Sequence, residues 1–232
     1  MDFEYKYSVD SKGNRNWHEE DDPWKAMNIY KILSKNNIKP DTICEIGYGA
    51  GGLLVNLSKY YDESVKFFGY ETSEEAYNIS KNKQSANIQF YLKDLLKVET
   101  SYDVVMAINV FTHVWDYLGF LSQLRTKGEY KVFHIPLQIT LYTLLRSQYF
   151  AKKDYWQMNY HHFDKDTALG TLMGTGYKII DYTYTSRSLD LKPNELRSKE
   201  RIWQLPRKFL HAINPDFAAK VLGGFSLMVL AK

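Results

Sequence analysis

The chain has 232 residues, 44% of them hydrophobic and 25% charged, which fits one globular α/β-sized domain and excludes a disordered chain, a collagen-like repeat or a small disulfide scaffold. Thirty basic against twenty-seven acidic residues leave a net charge of +3, far short of a dedicated nucleic-acid binder's field, so nucleic acid is not an expected partner. A single cysteine, Cys44, excludes an intramolecular disulfide and a multi-cysteine zinc site and favours a reducing, cytoplasmic setting.

No basic stretch followed by an apolar one opens the chain, and no apolar run reaches the about eighteen residues of a membrane span. Neither secretion nor a span is expected. Residues 1–40 read as an N-terminal appendage ending in an amphipathic helix: Asp22 caps it, Pro23 sits in its first turn, and Ala26, Ile29, Tyr30 and Leu33 fall on one face. Residues 41–232 read as the main domain. From Thr42 the pattern alternates TICEIG, a helix over Gly51–Tyr60, VKFFGYE, a helix over Glu74–Asn82, NIQFYL, YDVVMAI, a helix over Tyr117–Arg125, and YKVFHI. Short apolar runs alternating with helical periodicity predict βα units on a parallel sheet.

After Pro136 the rhythm breaks over about 136–163, with a helix-like LYTLLRSQYF and an aromatic DYWQMNYHHF that reads as a candidate lid. Asp164 or Asp166 then caps a helix ending at Gly174 or Gly176, YKIIDYTYT is a strand, and an irregular basic stretch over about 186–222 precedes the terminal strand FSLMVLA. These last two strands predict an antiparallel hairpin at the sheet edge. Between Ser186 and His211 stand Arg187, Lys192, Arg197, Lys199, Arg201, Arg207 and Lys208 against Asp190, Glu195 and Glu200. Such a run is either a solvated helical face or one wall of a site for an anionic substrate.

The run Glu45-Ile-Gly47-Tyr48-Gly49-Ala-Gly51-Gly52 joins a strand to a helix. Its glycines allow a tight turn and close backbone approach to a ligand, and the helix start offers unpaired N–H groups. Gly47, Gly49 and Gly52 also satisfy the dinucleotide fingerprint. Glu71, twenty residues past Gly51, is placed to accept from both hydroxyls of a ribose, which NAD and S-adenosylmethionine (SAM) share. Glu45 favours SAM, because it can face the ammonium of an amino-acid-bearing ligand, and so does Asp94, whose side chain and neighbouring backbone can read an adenine amino group. A short-chain oxidoreductase would need a Tyr-x-x-x-Lys pair and a serine; Tyr77–Lys81 lies away from the strand ends, and Tyr149–Lys153 has no serine beside Ile135-Pro136.

ICEIGYGAGGLL, FFGYETSEEAYNIS, NIQFYLKDLL and YDVVMAINVFTHVWDYLGFLSQL together resemble the successive motifs of class I SAM-dependent methyltransferases. The resemblance implies a Rossmann-like doubly wound α/β fold with a seven-stranded sheet of order 3-2-1-4-5-7-6, the last strand antiparallel. It implies SAM across the carboxyl ends of the first strands, contacted by Glu45, Gly47, Tyr48, Gly49, Gly51, Glu71, Thr72, Asp94, Leu95 and Asn109, with S-adenosylhomocysteine as product. More narrowly, the chain is similar to stand-alone bacterial methyltransferases of surface-polysaccharide and other small-molecule biosynthesis. It departs from them at Thr112, where a Glu often precedes His113, and at Asn159, where a His often pairs with His161.

Methyl transfer from a sulfonium needs alignment, exclusion of water and, for a hydroxyl acceptor, removal of a proton. Near neutral pH that points to histidine. His113, His134 and His161 or His162 fall where the fold would place the acceptor, with His134 expected closest because Pro136 fixes the strand mouth. Trp17-His18 and Trp24-Lys25 either cover the cofactor or, for Trp24, pack the first helix on the sheet, and Tyr155, Trp156 and Tyr160 are candidates to stack on a sugar or base. His134, His161 and Asp164 lack the tight spacing of a metal site, so no metal is expected. The expected activity is methyl transfer, preferably to oxygen, on a small anionic acceptor such as a sugar, nucleotide sugar or glycan unit. The alternatives are an RNA methyltransferase or a non-catalytic SAM-binding protein.

Overall fold

The computed structural model describes residues 19–146 and 160–232. Seven strands form one sheet: β1 (Thr42–Ile46), β2 (Lys66–Glu71), β3 (Ile88–Leu92), β4 (Tyr102–Ile108), β5 (Gly128–Leu137), β6 (Ile179–Thr185) and β7 (Phe225–Ala231). Their order is β3-β2-β1-β4-β5-β7-β6. The first five pair in parallel, and β7 runs antiparallel between β5 and β6. The expected topology and edge hairpin are therefore present.

The helices are α1 (Asp22–Lys35), α2 (Gly52–Ser58), α3 (Glu74–Ser80), α4 (Tyr117–Leu124), α5 (Leu141–Leu144), α6 (Lys165–Gly174), α7 (Arg187–Asp190), α8 (Ser198–Ile213) and α9 (Pro215–Leu222). Among the described residues no helix is long and apolar enough to cross a membrane. Two expectations change. Asp21, not Asp22, holds the cap position of α1, because Asp22 enters the helix ahead of Pro23 and its side chain turns under onto Gly52. The stretch 186–222 is helical rather than irregular, since α8 presents an apolar stripe on a side away from the core, where periodicity does not read as a buried face.

Strands buried on both faces read as continuous apolar runs, as VVMAI in β4 does. Val105, Ala107, Phe133 and Ile135 pack on one face with Leu121, Leu124 and Leu172. Val104, Met106 and Val132 pack on the other with Leu54, Leu57 and Phe67. Ala26, Ile29, Ile32 and Leu33 of α1 belong to that second cluster, so α1 forms part of the layer that covers the sheet. Strand order reverses between β1 and β4. In open α/β sheets such a switch point opens a crevice at the carboxyl ends of the strands, where ligands bind.

Candidate active site

The chain leaves β1 through a turn in which Gly47, Gly49 and Gly51 have φ of 69°, 58° and 79°. A Cβ at Gly51 would lie 2.7 Å from Phe90 Cζ and one at Gly47 2.9 Å from Val110 Cγ2, so both conformation and space demand glycine. Tyr48 is buried against Phe90 at 4.8 Å and accepts from the Ser80 hydroxyl at 3.2 Å.

Glu71, at the end of β2, is buried and accepts from the backbone N–H of Thr72 at 2.7 Å, Ser73 at 3.0 Å and Gly49 at 3.2 Å. Burial raises its pKa against the opposing pull of these bonds. The carboxylate thus ties the glycine turn to β2. Thr72 is exposed beside it, while Leu95 is core. Asp94 accepts from Leu96 N–H at 3.0 Å, capping the short turn Leu95–Lys97.

Glu45 is wholly buried, and its Oε2 has no hydrogen-bond partner among the described residues. Burial, reinforced by the nearby Asp22 charge and opposed by Lys25, pushes its pKa well above the ordinary carboxylate value. Burial likewise pushes Asp22 up to about 7, against the attraction of Lys25, whose Nζ lies 3.8 Å from its carboxylate. An orphaned carboxylate oxygen beside a glycine cradle is the arrangement an ammonium group completes. The residues present therefore fit SAM.

Across the switch point, His134 is buried with both ring nitrogens engaged: Nδ1 lies 2.8 Å from Asn109 Oδ1 and Nε2 2.9 Å from Thr185 Oγ1. Burial, with Lys25 adding to it, pushes its pKa down to about 3. Trp24 meets the ring edge-on at 5.8 Å and donates from Nε1 to Asp190 Oδ2 at 2.6 Å, so Trp24 packs α1 against this end of the sheet.

His134, Asn109, Trp24 and Lys25 line a cavity of about 420 Å³ with Gln138, Arg146, Thr185, Ser186, Arg187, Ser188, Glu200, Arg207 and Gly223. Arg187 pairs with Asp21 and, at 3.3 Å, with Glu200. Arg207 is bound only by neutral groups among the described residues, Gly223 O at 2.9 Å and Ser188 Oγ at 3.2 Å, and Arg146 by the Tyr142 hydroxyl at 2.9 Å. Two guanidinium groups with no carboxylate partner among the described residues thus border the cavity.

The expected histidines do not converge. His161 lies 2.9 Å through Nε2 from Val114 O, its ring 4.1 Å from that of Tyr117, and neither it nor His113 lines this cavity. His162 pairs with Gln138, and Asp164 caps α6. No group of metal-ligating side chains gathers among the described residues. Thr112 is buried with an unpartnered hydroxyl, its carbonyl accepting from Tyr160 N–H at 3.0 Å. Trp17, His18, Tyr149, Lys153, Tyr155, Trp156 and Asn159 lie outside the described residues, as does most of the candidate lid. Sequence reasoning missed Asp22 as a buried acid, because it read as a cap, and Thr185 as the partner of His134, because only the fold brings β6 there. Arg207 was visible only as one charge in a basic run.

A family model described as a methyltransferase domain matches residues 18–179. No curated protein sequence matches significantly. Among solved structures, the chain is similar to magnesium protoporphyrin IX methyltransferase from Synechocystis PCC 6803 with bound S-adenosylhomocysteine, at 15% identity and TM-score 0.60, covering 94% of this chain and 88% of that one. It is also similar to a putative sarcosine dimethylglycine methyltransferase from Galdieria sulphuraria, at 12% identity and TM-score 0.60, covering 89% and 83%. The plantazolicin methyltransferase BpumL in complex with S-adenosylhomocysteine matches at 17% identity and TM-score 0.55, covering 92% and 82%. With most of its length matched by that family model and its strands in the order described above, the chain belongs to the methyltransferase-domain family and has the class I SAM-dependent methyltransferase fold.

Proposed function

We propose that the chain moves a methyl group from SAM to a small, polar, anionic acceptor, a sugar, nucleotide sugar or glycan unit, with oxygen the preferred atom. The observation that carries the cofactor assignment is the buried, unpartnered Oε2 of Glu45 beside the glycine turn. Glu45 takes the ammonium, the backbone of Gly47–Gly51 approaches the amino-acid portion, Glu71 takes the ribose and the Asp94–Leu95 turn takes the base. When bound, SAM supplies an electrophilic methyl on a sulfonium, whose departure as a neutral thioether needs no acid.

The cavity on the far side of Asn109 and His134 receives the acceptor. Arg207 and Arg146 attract its anionic part, the reading supported by their having only neutral hydrogen-bond partners among the described residues. Catalysis rests on orientation and exclusion of water. His134, with both ring nitrogens hydrogen-bonded and its pKa pushed down to about 3 by burial, stays neutral and acts as a frame that fixes Asn109 at the cavity wall. Release of S-adenosylhomocysteine with a panel of nucleotide sugars, glycans and RNA tests the proposal. Turnover of anionic sugars is expected. Turnover of RNA alone, or SAM binding with no turnover of any acceptor, would favour the RNA enzyme or the non-catalytic binder.

A further inference from the structure

Helix α8 is amphipathic in reverse. Glu200, Gln204, Arg207 and His211, spaced by three or four residues along one side, face the protein: Glu200 accepts from Arg187, Gln204 donates to Leu191 O at 3.1 Å, Arg207 donates to Gly223 O, and His211 stacks on Phe225 at 6.0 Å. On the opposite side Ile202, Leu205, Phe209 and Ile213 form a continuous stripe, 75%, 77%, 68% and 66% exposed. At the end of α5, Leu144 and Leu145 are also 63% and 77% exposed, and Tyr142 of that helix meets Trp203 of α8 at 5.8 Å. Scattered exposed leucines are ordinary, whereas a contiguous apolar stripe marks an interaction surface.

Charge identifies what covers it. Lys199, Arg201 and Lys208 are exposed along the borders of the stripe, and the one acid of α8, Glu200, is turned inward to Arg187. The outward arc is thus apolar at its centre and cationic at its edges, with no carboxylate. A second copy related by a two-fold axis would bring these basic borders towards one another with no acid to offset them. An anionic lipid surface satisfies both features, taking the apolar stripe into the acyl boundary and its phosphates against the borders. At 16 residues, about 24 Å long, and with a polar inner face, α8 suits lying in the interface plane.

We propose that α8 is an interfacial helix that docks the protein on anionic membrane surfaces through the Ile202–Leu205–Phe209–Ile213 stripe and its Lys199, Arg201 and Lys208 borders. The inner side of the same helix supplies Glu200 and Arg207 to the cavity wall, so docking sets the cavity about one helix diameter, roughly 10 Å, from the headgroups. The inference is independent of the acceptor assignment.

Co-sedimentation of the full chain with vesicles of phosphatidylcholine, alone or mixed with phosphatidylglycerol, tests it. The wild type is expected to pellet with the mixed vesicles, less so as salt is raised. The double variant Leu205→Ser/Phe209→Ser is expected to bind about tenfold or more weakly. The triple variant Lys199→Glu/Arg201→Glu/Lys208→Glu is expected to lose about a hundredfold and its preference for anionic lipid. Unchanged Tm and SAM affinity in both variants would show that the fold is intact. Wild type that stays in the supernatant, or variants that pellet like it, would overturn the proposal. So would a wild-type dimer that the serine variant turns into monomers without vesicle binding, which makes the stripe a self-association face. A clear fall in Tm of the serine variant would also overturn it, by showing that the chain covers the stripe itself.

Discussion

Asn109 holds His134 twice: its backbone N–H donates to the His134 carbonyl at 2.9 Å, and its Oδ1 lies 2.8 Å from Nδ1 of the ring. To do so it adopts a left-handed φ of 59°, which asparagine tolerates better than most residues. With Nδ1–H donating to Asn109, Nε2 takes the Thr185 hydroxyl proton, and the ring stays neutral. The folded pKa, about 3, lies below the ordinary 6.5. The unfolded chain therefore binds the extra proton between these values, and the contribution to stability is full above 6.5 and declines as pH falls toward 3. Relative to His134→Gln, which does not titrate, wild type should lose up to about 1.4 kcal/mol per pH unit below that point. Urea unfolding across pH measures this, and parallel curves for the two proteins would refute it. The pH profile of turnover should keep its shape in the variant, whereas a lost acidic limb would restore His134 as the base.

Glu45 predicts a proton released on cofactor binding. Its raised pKa keeps it protonated in the free protein at pH values where an ordinary carboxyl ionises, and an arriving ammonium draws the carboxyl back down. SAM affinity should rise with pH across the window between 4.5 and the raised value. Calorimetry in two buffers of different ionisation enthalpy should report release of up to about one proton, and Glu45→Gln should abolish the release and weaken binding by about 1–3 kcal/mol. No proton release, together with unchanged affinity in the variant, would remove Glu45 from the ammonium site.

Asp22 titrates in the opposite sense to His134. Its folded pKa of about 7 exceeds the ordinary 3.8, so its contribution is full below 3.8 and is lost as pH rises through 7. Asp22→Asn should stabilise the cofactor-free protein at pH 8 by on the order of 2 kcal/mol, with little effect near pH 4. Thermal unfolding at the two pH values measures the difference. An equal shift at both would show a packing effect instead.

The sheet was legible because parallel strands buried on both faces leave unbroken apolar runs, and the glycine turn because three positive φ values admit few other residues. The residues of the proposed cofactor end were legible as a group in the same way, since Glu45, Gly47–Gly51 and Glu71 are close in sequence to the strands that position them. The other end could not. Thr185 meets His134 across 51 residues and Arg207 reaches the cavity from a helix whose inner face is polar, so neither leaves a local pattern. His134 reads as a base in the sequence because of its position; its two hydrogen bonds, which depend on that distant packing, support the proposed framing role instead.

Glu71, proposed to take the ribose, also serves the turn, since it accepts from Gly49, Thr72 and Ser73. Glu71→Ala should weaken SAM binding by about 1–3 kcal/mol, and Gly49→Val, forced to a φ of 58°, should block it while sparing the fold. Unchanged calorimetric affinity in a folded Glu71→Ala protein would remove the ribose assignment. Normal binding in Gly49→Val would show that this turn is not the cradle.

Variants of Arg207 should separate the proposed acceptor recognition from cofactor binding. Its guanidinium packs on Gly223 and Gly224, holding Gly223 O at 2.9 Å and Ser188 Oγ at 3.2 Å, which leaves charge and donors for a ligand in the cavity. Loss of a charge-assisted hydrogen bond costs about 1.5–3 kcal/mol, so Arg207→Gln should raise KM for an anionic acceptor about ten- to hundredfold with SAM affinity unchanged. Arg207→Lys keeps the charge without the fork and should fall between the two. An uncharged analogue of the acceptor should be turned over almost equally by wild type and Arg207→Gln, because it offers nothing for the guanidinium to recognise. Equal loss on charged and uncharged acceptors would mean that Arg207 only supports the Gly223–Gly224 turn, and a matching fall in SAM affinity would place it in the cofactor site.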